Sequence, residues 1–168
     1  MGDIPFYLSG DSTEVWKRPE LFQLDEDGHL ANLAGVPPDA FTDQGQLWGN
    51  PMYDWDGHKR EVFAFWEERM VWCERLYDMV RIDHFRAFHS YWSVPAGAAS
   101  AKEGHWMPCP GMELLYRIQS LKAQSLPVCG IFSVNIADAC RQEIRTQICN
   151  RLALLGISAL THTYNSVF

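Results

Sequence analysis

Between Glu61 and Met79 apolar residues recur at Val62, Phe65, Trp66, Trp72, Cys73, Leu76 and Tyr77, with Arg69 as a gap. The run then passes directly into Val80-Arg81-Ile82-Asp83. The first stretch has the spacing of one helix face, and the second reads as a strand of the buried, parallel kind. A helix feeding straight into such a strand is half of a βα unit, which restricts the chain to folds built on a parallel sheet. The flanking sequence repeats the alternation. Ile4 to Leu8 is an apolar and aromatic run ending in Ser9-Gly10, read as a strand despite Pro5. Leu114, Leu115, Ile118 and Leu121 mark a second amphipathic helix, and Leu126 to Phe132 a further strand. The predicted class is therefore α/β.

Asp11 to Trp55 interrupts this pattern. The stretch is rich in Gly, Pro, Asp and Asn and has no sustained periodicity, so it is expected to be a long irregular excursion. Loops of that length inside compact proteins usually carry function. A short helix is expected near Ser12 to Phe22, capped by Asp11 or Ser12. Tyr91 to Val94 reads as a brief helical or extended piece before Pro95. No internal repeat, linker or low-complexity tract is visible.

Of the 168 residues 47% are apolar, enough for one compact domain or a substantial part of a larger one. The formal net charge of -7 leaves no basic stripe able to follow a phosphate backbone, so neither nucleic acid nor an anionic membrane is expected as a partner. A neutral ligand fits better. Cys73, Cys109, Cys129, Cys140 and Cys149 contain no C-x-x-C pair and are odd in number, which points to reduced thiols and a cytoplasmic setting. The opening MGDIPFYLSG has no signal-peptide pattern, and no apolar run is long enough to span a bilayer.

Charge concentrates where the strand Val80 to Asp83 ends. Side chains two apart on a strand share a face, so Arg81 and Asp83 are expected to project together, with Ile82 opposite. A guanidinium beside Asp83 would keep that carboxylate ionised, available as a nucleophile or as a stabiliser of developing positive charge. His84 would then donate a hydrogen bond to a ligand hydroxyl. A plain Arg-Asp ion pair at a strand terminus explains the same residues without catalysis. His84 and His89, five apart, do not share a helix face and no carboxylate cluster accompanies them, so no metal site is expected, nor any cofactor. In the excursion, Trp48, Tyr53 and Trp55 lie among Asp39, Gln46, Asn50 and Asp54. Flat apolar faces beside short polar groups suit sugar rings, although Tyr53 and Trp55, taken singly, read more simply as packing of the loop onto the body.

Taken in order, GDIPFYLSGDSTEVW, FQLDEDG, AGVPPDAF, GQLWGNPMYDW, VRIDHFR and YWSVPAG resemble the 4-alpha-glucanotransferases of glycoside hydrolase family 77, the amylomaltases or disproportionating enzymes. The resemblance runs from Gly2 to about Pro127. It implies a (β/α)8 TIM barrel related to the alpha-amylases, of which this chain would supply an incomplete part: about strands 3 to 5 with the inserted loop region. Residues 1–130 would form the partial catalytic barrel domain, with the substrate-loop insertion at about 11–57. Residues 131–168 would be a divergent tail, expected to be helical from Ile144, Ile148, Leu152 and Leu155. By the same resemblance Asp83 is the catalytic nucleophile. Arg81 and His84 orient it and hold the donor sugar, while Asp39, Gln46, Trp48 and Asn50 grip the glucan. The implied partner is a maltodextrin, an alpha-1,4-glucan, and the implied reaction moves a dextrin to another sugar's 4-hydroxyl with retention.

Retention requires two carboxyl groups roughly 5 to 5.5 Å apart. The family's fifth strand ends in a motif like A-E-D-L-G-V, whose glutamate is the acid and base, but here Leu126-Pro127-Val128-Cys129-Gly130 continues as Ile131-Phe132-Ser133-Val134-Asn135. No carboxylate stands there. Glu143, among Arg141, Gln142 and Arg145, reads as part of a solvated helix face, and the family's later His-Asp motif has no counterpart before Phe168. The chain is therefore expected to be a fragment inactive on its own. The alternative reading is a non-catalytic maltodextrin-binding or interaction protein that keeps the loop from Asp39 to Trp55. Oligomeric state is not legible.

Overall fold

A computed structural model describes residues 1–121, 128–131 and 158–160. In chain order its strands and α-helices are β1 (Gly2–Pro5), α1 (Thr13–Lys17), β2 (Asn32–Val36), β3 (Gln46–Pro51), α2 (Lys59–Leu76), β4 (Val80–Asp83), β5 (Ser90–Pro95), β6 (His105–Pro108), α3 (Gly111–Leu121), β7 (Val128–Ile131) and β8 (Ser158–Leu160). They fall into two units: one of Met1–Phe6, Glu67–His89 and Gly111–Phe168, the other of Tyr7–Trp66 and Ser90–Pro110. The excursion expected over 11–57 is thus joined in the second unit by residues 90–110.

The first unit holds a parallel sheet in the order β1-β4-β7-β8. Parallel neighbours need crossovers, which is why long stretches separate these strands in sequence. Val80 and Ile82 are fully buried on β4. Beneath the strand ends, Phe6 meets Phe88 edge-on with centroids 5.0 Å apart, and Phe85 lies 4.9 Å from Phe88. Leu114, Leu115 and Ile118 of α3 are buried, and Arg117 Nε donates to Glu67 Oε1 of α2 at 2.7 Å. Arg69, the gap in the apolar run, reaches the Pro5 carbonyl at 2.7 Å.

Helix α2 was expected over 61–79 with its apolar face turned inward. Val62, Phe63, Phe65, Trp66, Met70 and Cys73 are buried, but Trp72 and Leu76 are 59% and 66% exposed and Tyr77 lies beyond the helix end. Positions 62, 66, 70 and 73 form one stripe; the 3.6-residue period sets 72 to one side of it, while 76, still beside the stripe, is exposed as the last residue of the helix.

The second unit corrects the expectation of an irregular excursion. It contains an antiparallel sheet in the order β3-β2-β5-β6. Asn-Leu-Ala-Gly-Val, Gln-Leu-Trp-Gly-Asn-Pro and His-Trp-Met-Pro lack β-branched alternation, so their strand character comes from pairing with one another rather than from propensity. Gly35 shows how close that pairing is, because a Cβ there would collide with the Gln46 carbonyl. Tyr91 to Val94 is extended, within β5. Ser12 caps α1 by accepting the Val15 N–H at 3.3 Å, and a 3₁₀ turn follows at Pro19–Leu21. The core is aromatic: Tyr53 stacks on Phe22 at 5.3 Å, with Trp55 at 5.3 Å and Trp66 at 6.1 Å. Tyr53 and Trp55 are therefore packing residues, in agreement with the simpler of their two readings.

In the tail expected to be helical, Ser158–Leu160 is instead a strand, paired with β7. The helical pattern from Ile144 to Leu155, and Glu143, lie outside the described residues. Among the described residues no helix is long and apolar enough to cross a membrane.

Candidate active site

On β4 the side-chain period buries Val80 and Ile82 and leaves Arg81 half-buried and Asp83 exposed on the opposite face. Asp83 is the last residue of the strand and stands at the C-terminal edge of the parallel sheet. In α/β proteins ligands bind outside that edge.

The ionic partner of Arg81 differs from expectation. Its guanidinium forks onto Asp3, Nε donating to Oδ1 at 2.7 Å and a terminal N–H donating to Oδ2. Asp3 and Arg81 are register partners in the β1–β4 pair. Neighbouring strands lie about 4.8 Å apart, whereas residues two apart along one strand are separated by about 6.6 Å, so the lateral carboxylate meets the fork in place of Asp83. Asp3 is the partner of Arg81 that the sequence reading missed. The signal was present: Gly2-Asp3-Ile4-Pro5 and Val80-Arg81-Ile82-Asp83 carry opposite charges at the same strand position.

His84 has φ 52° and ψ 43°, the one non-glycine residue with positive φ among the described residues. This left-handed step reverses the chain, so the His84 carbonyl accepts the Ala87 N–H at 3.0 Å and Phe85, Ala87 and Phe88 turn into the core. Burial pushes the His84 imidazole down to about 4; the Asp83 charge acts against this and the Arg86 charge with it. The residue is half-buried, and its imidazole is neutral near pH 7, with one N–H to donate and one nitrogen to accept.

The second unit carries the other nominated residues. Trp48 on β3 is 39% exposed; its Nε1 donates to Gln46 Oε1 at 3.0 Å and the Tyr7 ring meets it at 6.3 Å. Trp48 and Gln46 thus form one platform with a fixed amide beside an aromatic ring. Asn50 uses its Nδ2 to donate to the Leu8 carbonyl at 2.8 Å, and Asp39 Oδ1 accepts the N–H groups of Phe41 and Thr42 at 2.8 and 3.0 Å. Asp39 thus holds its own turn in shape, and Asn50 ties β3 to the segment that follows β1. The structure gathers Arg81, Asp83 and His84 at one strand end, with Asp3 beside them, and Gln46, Trp48 and Asn50 along β3, with Asp39 in the turn before it.

Strand β7 pairs with β4 so that Gly130 lies level with Ile82; one residue further, Ile131 lies level with Asp83. The neighbouring strand end therefore carries no carboxylate. Among the described residues no group of three or more His, Cys, Asp or Glu is placed to hold a metal ion.

Residues 1–131 match the model of the glycoside hydrolase family 77 proteins, described as 4-alpha-glucanotransferase. The 4-alpha-glucanotransferase of Thermus thermophilus is 49% identical over 121 residues, covering 72% of this chain and 24% of that protein. That of Synechocystis sp. is 48% identical over 128 residues, covering 76% of this chain and 25% of that protein. The amylomaltase from Streptococcus agalactiae, solved in complex with acarbose, superposes with a TM-score of 0.79 at 40% identity, over 94% of this chain and 30% of that one. The chain thus spans about a quarter of the length of the curated relatives it matches. With most of its length matched by the family model, the chain belongs to the 4-alpha-glucanotransferase family, glycoside hydrolase family 77.

Proposed function

We propose that this chain carries the nucleophile strand and the glucan-gripping segment of a retaining 4-alpha-glucanotransferase, acting on maltodextrins in the cytoplasm. The parallel order β1-β4-β7-β8 supports reading the first unit as consecutive strands of a partial (β/α)8 barrel, as does the likeness to the S. agalactiae amylomaltase. The observation that carries the reading is Asp83, exposed at the C-terminal end of β4 between an Arg81 fixed by Asp3 and a neutral His84.

In this role an Asp83 oxygen attacks the anomeric carbon of the donor sugar. The bond to the leaving 4-oxygen breaks, that oxygen takes up a proton, and a glycosyl ester remains on Asp83. The 4-hydroxyl of an acceptor then attacks the ester carbon, loses its proton and frees the carboxylate, restoring the original configuration. In the first unit Arg81 and His84 hold the donor sugar; the second unit, taken by itself, offers a glucose ring a stacking face and an amide at Trp48 and Gln46. The proton steps need a second carboxyl group. The sequence supplies none between Lys122 and Ala137, and Ile131 occupies the level of Asp83 on β7. General acid assistance is worth about 10²- to 10⁴-fold, so the chain alone binds glucan without turning it over.

Maltotriose incubated with the purified chain is expected to give neither glucose nor longer dextrins, while maltoheptaose binds measurably by calorimetry. Clear disproportionation would refute the missing acid and base, and absence of binding would refute the glucan-gripping role.

A further inference from the structure

From the buried anchor at Met52 and Tyr53 the chain enters α2 through Asp54-Trp55-Asp56-Gly57-His58. Asp54 closes this turn with both oxygens: Oδ1 accepts the Gly57 N–H at 3.0 Å and Oδ2 lies 2.8 Å from His58 Nδ1. The backbone closes it again, His58 N–H donating to the Asp54 carbonyl at 3.1 Å and Val62 N–H to the His58 carbonyl at 2.9 Å. A Cβ at position 57 would meet Asp54 Oδ2, so a side chain there displaces the carboxylate that closes the turn. The Asp54 N–H also donates to the Leu21 carbonyl at 2.9 Å. One residue therefore joins the 3₁₀ turn at Pro19–Leu21, the segment that follows β3 and the start of α2.

We propose that Asp54, Gly57 and His58 form a proton-operated clasp, closed by a charge-assisted hydrogen bond when His58 is protonated and slackened when it is not, so that the anchorage of the β3 end to α2 depends on pH. Asp54 is one of the polar groups of the loop, but none of these three residues is among those nominated to hold the glucan, and the inference stands independently of the glucan reading. Three carboxylates act on His58: Asp54 in its own turn, Glu61 in the first turn of α2 and Glu20 in the 3₁₀ turn, while Lys59 and Arg60 follow it in the chain. Glu61 also pairs with Arg60 at 3.3 Å.

The hydrogen bond to Asp54 pushes the His58 imidazole up; slight desolvation opposes it, and the charges of Asp54, Glu61 and Glu20 add to it. For Asp54 partial burial pushes upward, but the Gly57 N–H and the bond and charge of His58 outweigh it and leave the carboxyl low. The raised imidazole contributes stability that is complete below its ordinary value of 6.5 and lost as pH rises through its folded value. The lowered carboxyl contributes stability that is present above its ordinary 3.8 and lost as pH falls through its folded value. The clasp is closed in the interval between.

The test is an NMR titration of the His58 ring in the whole 168-residue chain, wild type against Asp54→Asn, beside melting curves of the wild type and His58→Gln from pH 5 to 9. The expected result is a His58 midpoint above that of the Asp54→Asn protein. The wild type should also melt higher than His58→Gln by about 1–3 °C at pH 5.5, the screened effect of a half-exposed pair, with no difference at pH 9. Equal His58 midpoints in the two proteins, or a melting difference that does not change with pH, would overturn the proposal.

Discussion

Asp83 occupies the end of a buried strand because its neighbours Val80 and Ile82 supply the burial and the alternation turns its own side chain outward. That much follows from four residues of sequence. The fork between Arg81 and Asp3 does not, because it depends on the register of two strands whose charged residues lie 78 positions apart. Asp3→Asn removes the charge and one acceptor, and so loosens the guanidinium that projects on the same face as Asp83. The pair is half-exposed and contributes about 0–1 kcal/mol to stability, so the melting temperature should change little. Maltoheptaose affinity should fall about 5- to 30-fold, the equivalent of about 1–2 kcal/mol from a lost charge-assisted hydrogen bond. Calorimetry of the two proteins checks this, and an unchanged affinity would remove Asp3 from the site. His84 was nominated as a donor of hydrogen bonds, and its burial keeps it in the neutral form that has one N–H to give.

At the scale of elements, β4 was legible with its bounds intact and α2 and α3 to within a few residues, because apolar periodicity is a local property. Strands β2, β3 and β6 were not. Their residues have little intrinsic strand preference, and glycine and proline within them read as turn signals until the neighbouring backbone is known. Periodicity alone also assigned Trp72 and Leu76 to the buried face of α2; Trp72 lies to one side of the stripe through Val62, Trp66 and Met70, and Leu76, at the end of the helix, is exposed although the period puts it beside that stripe. Urea unfolding should resolve the two classes. Phe63→Ala, at a fully buried position beside Trp55, should cost about 3–5 kcal/mol, whereas Leu76→Gln should stay within about 0.5 kcal/mol of the wild type. A large loss from Leu76→Gln would mean that α2 is rotated from the orientation described.

For the whole molecule, family membership and partial coverage belong together: residues 1–131 match the family, and the relatives are about four times as long as the segment matched. A complete (β/α)8 barrel has about 250 residues, and in the proposed reading this chain contributes to one the strand ending in Asp83, whose neighbour ends in Ile131. An activated donor bypasses that gap, because fluoride departs without a proton from an acid, and a missing base then lets the ester persist. The most direct measurement is therefore mass spectrometry of peptides from the chain after incubation with alpha-maltosyl fluoride. One maltosyl group on the peptide containing Asp83, absent from Asp83→Asn, is the expected result. A label on any other residue, or none on a chain that binds maltoheptaose, would contradict the assignment of Asp83 as the nucleophile.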